Sequence, residues 1–198
     1  MKTPVKGILE SRVNGSYMYL SEDGRYAFTG DLIDLLDGSN VTELSQARDT
    51  RRLIQTYAEE YMLVYPAQGR EKTHLTIFTD TSCVYCRKMH REIPDLLAKG
   101  VSVRIIPYPR RGLGGKGYVE LSSIWCSEDP HMALLEYVKG SVLPEQTASC
   151  DNTRAVDAGF LLGNSVGVSG TPLLVLENGE RMKGYNPASE VLEQMGIR

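Results

Sequence analysis

Hydrophobic and polar positions first alternate, then take up a helical period, then settle into a strand-helix-strand order along this 198-residue chain. Residues 16–20 and 25–29 are rich in Tyr, Phe and Met, and Ser21-Glu22-Asp23-Gly24 between them carries the Asp-Gly signal of a hairpin turn. Two strands alone are marginal in water, so Tyr17, Tyr19, Tyr26 and Phe28 need a covering surface, from this chain or from a second copy. From 42 to about 61, Leu44, Ala47, Ile54, Tyr57, Ala58 and Tyr61 fall on one helical stripe, with Arg48, Asp49, Arg51, Arg52, Glu59 and Glu60 elsewhere. The first half is polar almost all round. That fits a partly solvated helix bridging two domains, with an ordinary surface helix of a single domain as the alternative.

Beyond the turn-rich break Pro66-Ala67-Gln68-Gly69 the pattern is α/β. Residues 74–79 form a β-rich run that leads into Cys83, 84–98 predict a helix kinked at Pro94, and 101–107 predict a second buried strand. This order predicts a βαβ unit with a parallel pair. A Pro- and Gly-rich loop over 107–117 follows, then helices near 118–126, 130–139 and 152–164. The strands at 173–177 and 180–183 flank Asn178-Gly179, which predicts an antiparallel hairpin, and a helix over 187–195 closes the chain.

Composition changes the picture by exclusion. With 41% hydrophobic and 24% charged residues, the chain is neither collagen, coiled coil nor disordered. A net charge of -3, from 22 basic and 25 acidic residues, offers no basic excess for nucleic acid or an anionic lipid surface. No apolar run approaches the roughly 20 residues of a spanning helix. Nor does the start lead into a stretch of signal-peptide length, so the expectation is a cytosolic chain or an exported one whose signal is gone.

The chemistry is concentrated in Cys83-Val84-Tyr85-Cys86, at the junction of a predicted strand and helix. Free N–H groups and the positive helix end favour the thiolate there, which makes Cys83 the expected nucleophile and the thiol open to solvent, with Cys86 shielded by the turn that follows. Cys86, about one turn on, can close a disulfide with it and resolve a mixed one. A zinc site would need two further ligands, from His90, His131, Cys126 or Cys150, and no second C-x-x-C or H-x-x-x-H accompanies the motif. A purely structural bridge across four residues would remove little chain entropy. His90 reads as a surface or packing residue rather than a proton carrier. Cys126 and Cys150 share no short motif with the first pair or each other, which points to a separate job. Gly170-Thr171-Pro172 before the last strands suits a tight turn.

Several blocks in fixed order extend these signals. They are the run from Phe78 through Cys83 and Cys86 to His90, then Tyr108-Pro109-Arg110-Arg111-Gly112-Leu113, Ile124-Trp125-Cys126, Ser149-Cys150-Asp151, Gly167-Val168-Ser169-Gly170-Thr171-Pro172, Asn178-Gly179 and Gly184-Tyr185. In these the chain resembles the DsbC/DsbG family of bacterial periplasmic protein disulfide isomerases, the DsbC branch more than the other. Leu20-Ser21-Glu22-Asp23-Gly24-Arg25 and Gly30 resemble that family's dimerisation domain. The resemblance implies an α/β architecture: a thioredoxin fold with a helical insertion over 63–198, a linker helix over 42–62, and a small β dimerisation domain over 1–41 that pairs two copies around an apolar cleft.

It further implies that Cys83 and Cys86 are the catalytic redox pair and that Thr171 and cis Pro172, with Val84 and Tyr85, meet the substrate. Cys126 with Cys150 would be a structural disulfide. The implied activity is thiol-disulfide exchange, chiefly isomerisation of misoxidised secreted proteins in the periplasm. A membrane-bound reductase would keep the pair reduced, and no cofactor or metal would take part. Three departures accompany the match: no signal peptide, a shorter N-terminal domain, and Val-Tyr rather than Gly-Tyr between the cysteines. Ile77 stands where thioredoxin has a buried carboxylate, six positions before Cys83. Rival readings are a monomeric dithiol oxidase or reductase on the same fold, a chaperone-like binder of unfolded chains, and a non-redox zinc module.

Overall fold

The computed structural model of the chain describes residues 3–13, 15–141, 150 and 153–197. Ser149, Asp151 and Asn152, which the sequence assigned to a cysteine block and a helix start, lie outside them.

Strands Ile8–Val13 (β1), Ser16–Ser21 (β2) and Ala27–Thr29 (β3) form an antiparallel sheet in the order β1-β2-β3. The expected hairpin is the β2–β3 pair, with Tyr19 opposite Phe28. At its turn the Gly24 amide donates to the Ser21 carbonyl at 2.8 Å, at a φ of +70° that glycine adopts without strain. β1 was not foreseen, because its mixed sequence carries no clean alternation.

Helix Val41–Ile54 (α1) starts where Asn40 accepts the Glu43 amide at 3.0 Å. It stops one to two turns short of the expected Tyr61. Thr56 donates its hydroxyl to the Leu53 carbonyl, and the Tyr57 hydroxyl is drawn to Ala155 O at 2.8 Å, before a 3₁₀ turn at Glu59–Tyr61. The expectation of a solvated first half is also corrected. Thr42, Ser45, Asp49 and Thr50 are buried, whereas Leu44 of the supposed apolar stripe is 59% exposed. Two tyrosines account for this: Tyr17 donates to Asp49 Oδ2 at 2.9 Å, and Tyr19 hydrogen-bonds Thr42. Paired in this way, polar groups can be buried at little penalty.

Tyr17 and Tyr19 are therefore covered within the chain, and only Tyr26 and Phe28 remain exposed. Nor does α1 hold the β unit apart from the rest. Gly15 abuts Gly167 so closely that a Cβ on Gly15 would lie 2.8 Å from the Gly167 Cα, and the Arg12 guanidinium donates to the Ser165 carbonyl. Two glycines allow backbone to meet backbone there.

The larger unit is a mixed sheet of Leu63–Tyr65 (β4), Thr73–Thr79 (β5), Val101–Pro107 (β6), Leu173–Leu176 (β7) and Arg181–Lys183 (β8), in the order β4-β6-β5-β7-β8. β5 and β6 pair in parallel, as the strand-helix-strand order requires, and the other pairs are antiparallel. Strand alternation sorts the core onto two faces. Leu75, Ile77, Ile105 and Leu174 pack with Met89, Leu121 and Ile124 on one side; Phe78, Ile106 and Val175 pack with Tyr108, Leu162 and Val166 on the other.

The helix after β5 breaks at Glu92 into Val84–Arg91 (α2) and Ile93–Ala98 (α3), because Pro94 lacks an amide and can sit only in the first turn of a new helix. Lys116–Trp125 (α4), Pro130–Lys139 (α5), Thr153–Val166 (α6) and Ala188–Gln194 (α7) complete the unit. A disulfide joins Cys126, at the end of α4, to Cys150, with Cα atoms 5.8 Å apart. Among the described residues no helix is long and apolar enough to cross a membrane.

Candidate active site

β5 ends at Thr79, and a turn over 80–82 delivers Cys83 to the N-cap of α2 in an extended conformation (φ -101°, ψ 116°). Asp80 builds this turn. Its Oδ1 accepts both the amide and the hydroxyl of Ser82 at 2.8 Å, and its carbonyl accepts the Cys83 amide at 3.1 Å. The Tyr137 hydroxyl, on α5, donates to the Thr81 carbonyl and ties the helical insertion to the same turn.

Cys83 and Cys86 are free thiols. Facing them, across 88 residues of sequence, is the cis Thr171–Pro172 bond, with Cys83 Sγ 3.2 Å from the Thr171 carbonyl oxygen, a contact in which the neutral thiol donates. Sequence reasoning expected Cys83 to be open to solvent and Cys86 shielded. Both are buried, at 4% and 1% exposure, because the Thr171 turn closes over the first sulfur. Exposure in this motif belongs instead to the intervening Val84 and Tyr85, at 62% and 59%.

What separates the two thiols is electrostatics. The Cys83 pKa is lowered, to about 5, chiefly by the side-chain hydrogen bond from Cys86, helped by the Cys86 amide, the Thr171 side chain and, least of these, the Arg110 charge, against the opposing effect of burial. Cys86 moves the other way: burial, and then its hydrogen bond to Cys83, raise its pKa. One sulfur is a thiolate at neutral pH while its neighbour keeps its proton.

Ile77 is wholly buried in the apolar core, so no carboxylate lies at that position. His90 is a packing residue, its Nε2 2.8 Å from the Thr79 hydroxyl, and burial lowers its pKa to about 4. It is neutral at physiological pH. Among the described residues no three His, Cys, Asp or Glu side chains come together as a metal site, and Cys126 and Cys150 are bonded to each other.

Sequence reasoning missed Asp80 and Arg110 as parts of the site. Asp-x-Ser before a helix is a recognisable capping signal for the first. No local signal marks the second, which reaches the turn from the 107–117 loop.

A sheet that carries a dithiol at a strand-helix junction opposite a cis-proline turn is the arrangement of a thioredoxin-fold thiol-disulfide oxidoreductase. Residues 61–196 match the family model of the thioredoxin-like domain, and residues 1–43 match that of the disulfide bond isomerase protein N-terminal domain. The thiol:disulfide interchange protein DsbC of Escherichia coli K12 is 36% identical over 193 residues, spanning 96% of this chain and 77% of that protein. DsbC of Pasteurella multocida is 33% identical, spanning 98% and 82%. Among solved structures, a disulfide interchange protein from Neisseria gonorrhoeae superposes with a TM-score of 0.60 at 24% identity, over 71% of this chain and 99% of that one. The chain belongs to the DsbC family, and it is a disulfide isomerase.

Proposed function

We propose that Cys83 is the attacking thiol and Cys86 the resolving one, in an exported enzyme that isomerises misoxidised proteins. The observation that carries this reading is the opposite displacement of the two thiol pKa values beside the Thr171–Pro172 turn. The Cys83 thiolate attacks a substrate disulfide, forming a mixed disulfide and expelling the partner sulfur as a thiolate. Another substrate thiolate then attacks elsewhere, and the last exchange frees Cys83 unchanged. Alternatively Cys86 gives up its proton and displaces the substrate, leaving Cys83–Cys86 oxidised and the substrate reduced by two electrons. A Cys86 thiol held protonated resolves slowly, which lengthens the life of the mixed disulfide and favours isomerisation over net reduction.

Val84 and Tyr85, exposed beside Cys83, supply apolar contact to the bound chain, and the backbone at Thr171 pairs with it as an extended strand. A membrane-bound reductase in the periplasm returns the oxidised pair to dithiol. Cys126–Cys150 is the structural bridge. Domains divide at 1–41, 42–62 and 63–198, and the first pairs two chains. Support for pairing lies in Tyr26 and Phe28, together with Leu35 and Leu36, which are 91% and 97% exposed. A monomer would leave these in water.

Two measurements test the reading. Alkylation of the reduced protein at pH 5–6 labels Cys83 before Cys86; because the Cys83 pKa is lowered, its rate holds through neutral pH and falls only as pH drops through about 5. Labelling of Cys86 first would reverse the roles. In sedimentation equilibrium at micromolar concentration the protein runs at twice the mass of one chain, and a clean monomer would instead favour a simple oxidase or reductase.

A further inference from the structure

We propose that Asp80 is a positioning residue, a buried anchor that fixes the Arg110 guanidinium against the Cys83 turn, where its charge acts on the reactive sulfur. The inference rests on the role proposed for Cys83. Asp80 is 1% exposed, and its carboxylate accepts four hydrogen bonds: two from Ser82 at 2.8 Å, and the amide and Nε of Arg110 at 2.8 and 3.1 Å. The backbone of the same residue touches both cysteines. Its carbonyl accepts the Cys83 amide, and its own amide donates to Cys86 Sγ at 3.5 Å.

Among the described residues no other contact holds Arg110 so firmly. It stands in the irregular 108–115 loop, which turns through left-handed Gly112 and Gly114, and its side chain is 35% exposed. A long side chain on such a loop samples many rotamers unless it is tied. One buried carboxylate oxygen accepts both the backbone amide and the side-chain Nε of Arg110, and a further contact, from Arg110 Nη2 to the Ser82 hydroxyl at 3.4 Å, aims the side chain along the turn. The anchor needs room, which Gly117 provides: a Cβ there would stand 2.6 Å from Asp80 Oδ1. The 108–115 loop thus brings a cation to the turn that leads into the dithiol, and Asp80 and Gly117 set where it stops.

The test is the Cys83 alkylation rate of the reduced full chain with iodoacetamide at pH 5.5 and at pH 10, site-resolved by mass spectrometry. Arg110→Gln slows the pH 5.5 rate by about 1.5- to twofold, as expected for losing a partly exposed cation near a thiolate, and leaves the pH 10 rate unchanged. Gly117→Ala keeps both charges but presses a methyl group on the carboxylate, and it slows the pH 5.5 rate by a similar factor. The double variant is no slower than Arg110→Gln alone. Should Gly117→Ala fail to fold, Asp80→Asn serves in its place, with the same lack of additivity expected. A merely structural Asp80 would lower thermal stability without moving the ratio of the two rates. An unchanged ratio in Arg110→Gln, or effects that multiply in the double variant, overturns the proposal while leaving Cys83 as nucleophile. Failure of Cys83 to label before Cys86 in the wild type overturns the nucleophile assignment and this proposal together.

Discussion

Cys83→Ala reduces isomerisation of a scrambled disulfide substrate to the uncatalysed background, a loss on the order of 10³-fold or more. The size of the effect follows from the inequality of the two thiols. With Cys83 removed, the remaining sulfur is 1% exposed and its pKa is raised by burial, so at neutral pH it is both protonated and inaccessible. A protonated thiol is not a nucleophile. The reciprocal variant, Cys86→Ala, retains isomerase activity but accumulates mixed disulfides that non-reducing electrophoresis detects, since nothing resolves them intramolecularly. It also removes the strongest hydrogen bond to the Cys83 thiolate, so the Cys83 pKa rises and activity at pH 5–6 falls more than at pH 8. Equal and complete loss in both variants would mean that attack and resolution are not divided between the two cysteines in this way.

Phe78→Ala lowers stability by about 3–5 kcal/mol, the usual range for emptying a buried aromatic site. Phe78 is fully buried, one residue before the end of β5, and its ring meets Tyr108 edge-on at 6.4 Å, with Tyr108 stacked on Phe160 at 5.9 Å. Helix α6 closes on the end of β6 at Gly159, against Pro107, and on the Tyr108 ring at Gly163, so the pocket has little freedom to collapse around a smaller side chain. For a chain of this length the melting midpoint should fall by about 6–20 °C. Urea unfolding of the oxidised protein measures the change directly, and a loss below about 1 kcal/mol would mean that the pocket repacks. The site should loosen as well. The Tyr108 amide donates to the Thr79 carbonyl at 2.8 Å, and that bond joins the start of the Arg110 loop to the strand bearing the dithiol.

Elements whose signals are local are legible in the sequence itself. Asp23-Gly24 and Asn178-Gly179 marked hairpins, Pro94 marked the break between α2 and α3, and the apolar runs at 74–79 and 101–107 marked the parallel pair. Cys83-x-x-Cys86 announced its chemistry because a strand ending in a helix start lies within a few residues of sequence. β1 escaped because its sequence is of mixed pattern and β4 because it is only three residues long, and the strand character of both comes from their partners β2 and β6.

Helical periodicity over 42–61 predicts one helix, polar in its first half and partly solvated, and tertiary structure decided otherwise. Tyr17 and Tyr19 bury its polar face, and Ala155 captures Tyr57 beyond its end. The same holds at the site. Thr171 stands 88 residues from Cys83, and Arg110 stands 30 from Asp80. Turn chemistry and periodicity act over a single turn or strand, so sequence by itself determines which segments are strands and helices and where a dithiol can sit. Burial and hydrogen bonding between distant residues exist only once the sheet has closed, and they decide which sulfur is ionised, which polar face is covered and which arginine comes near.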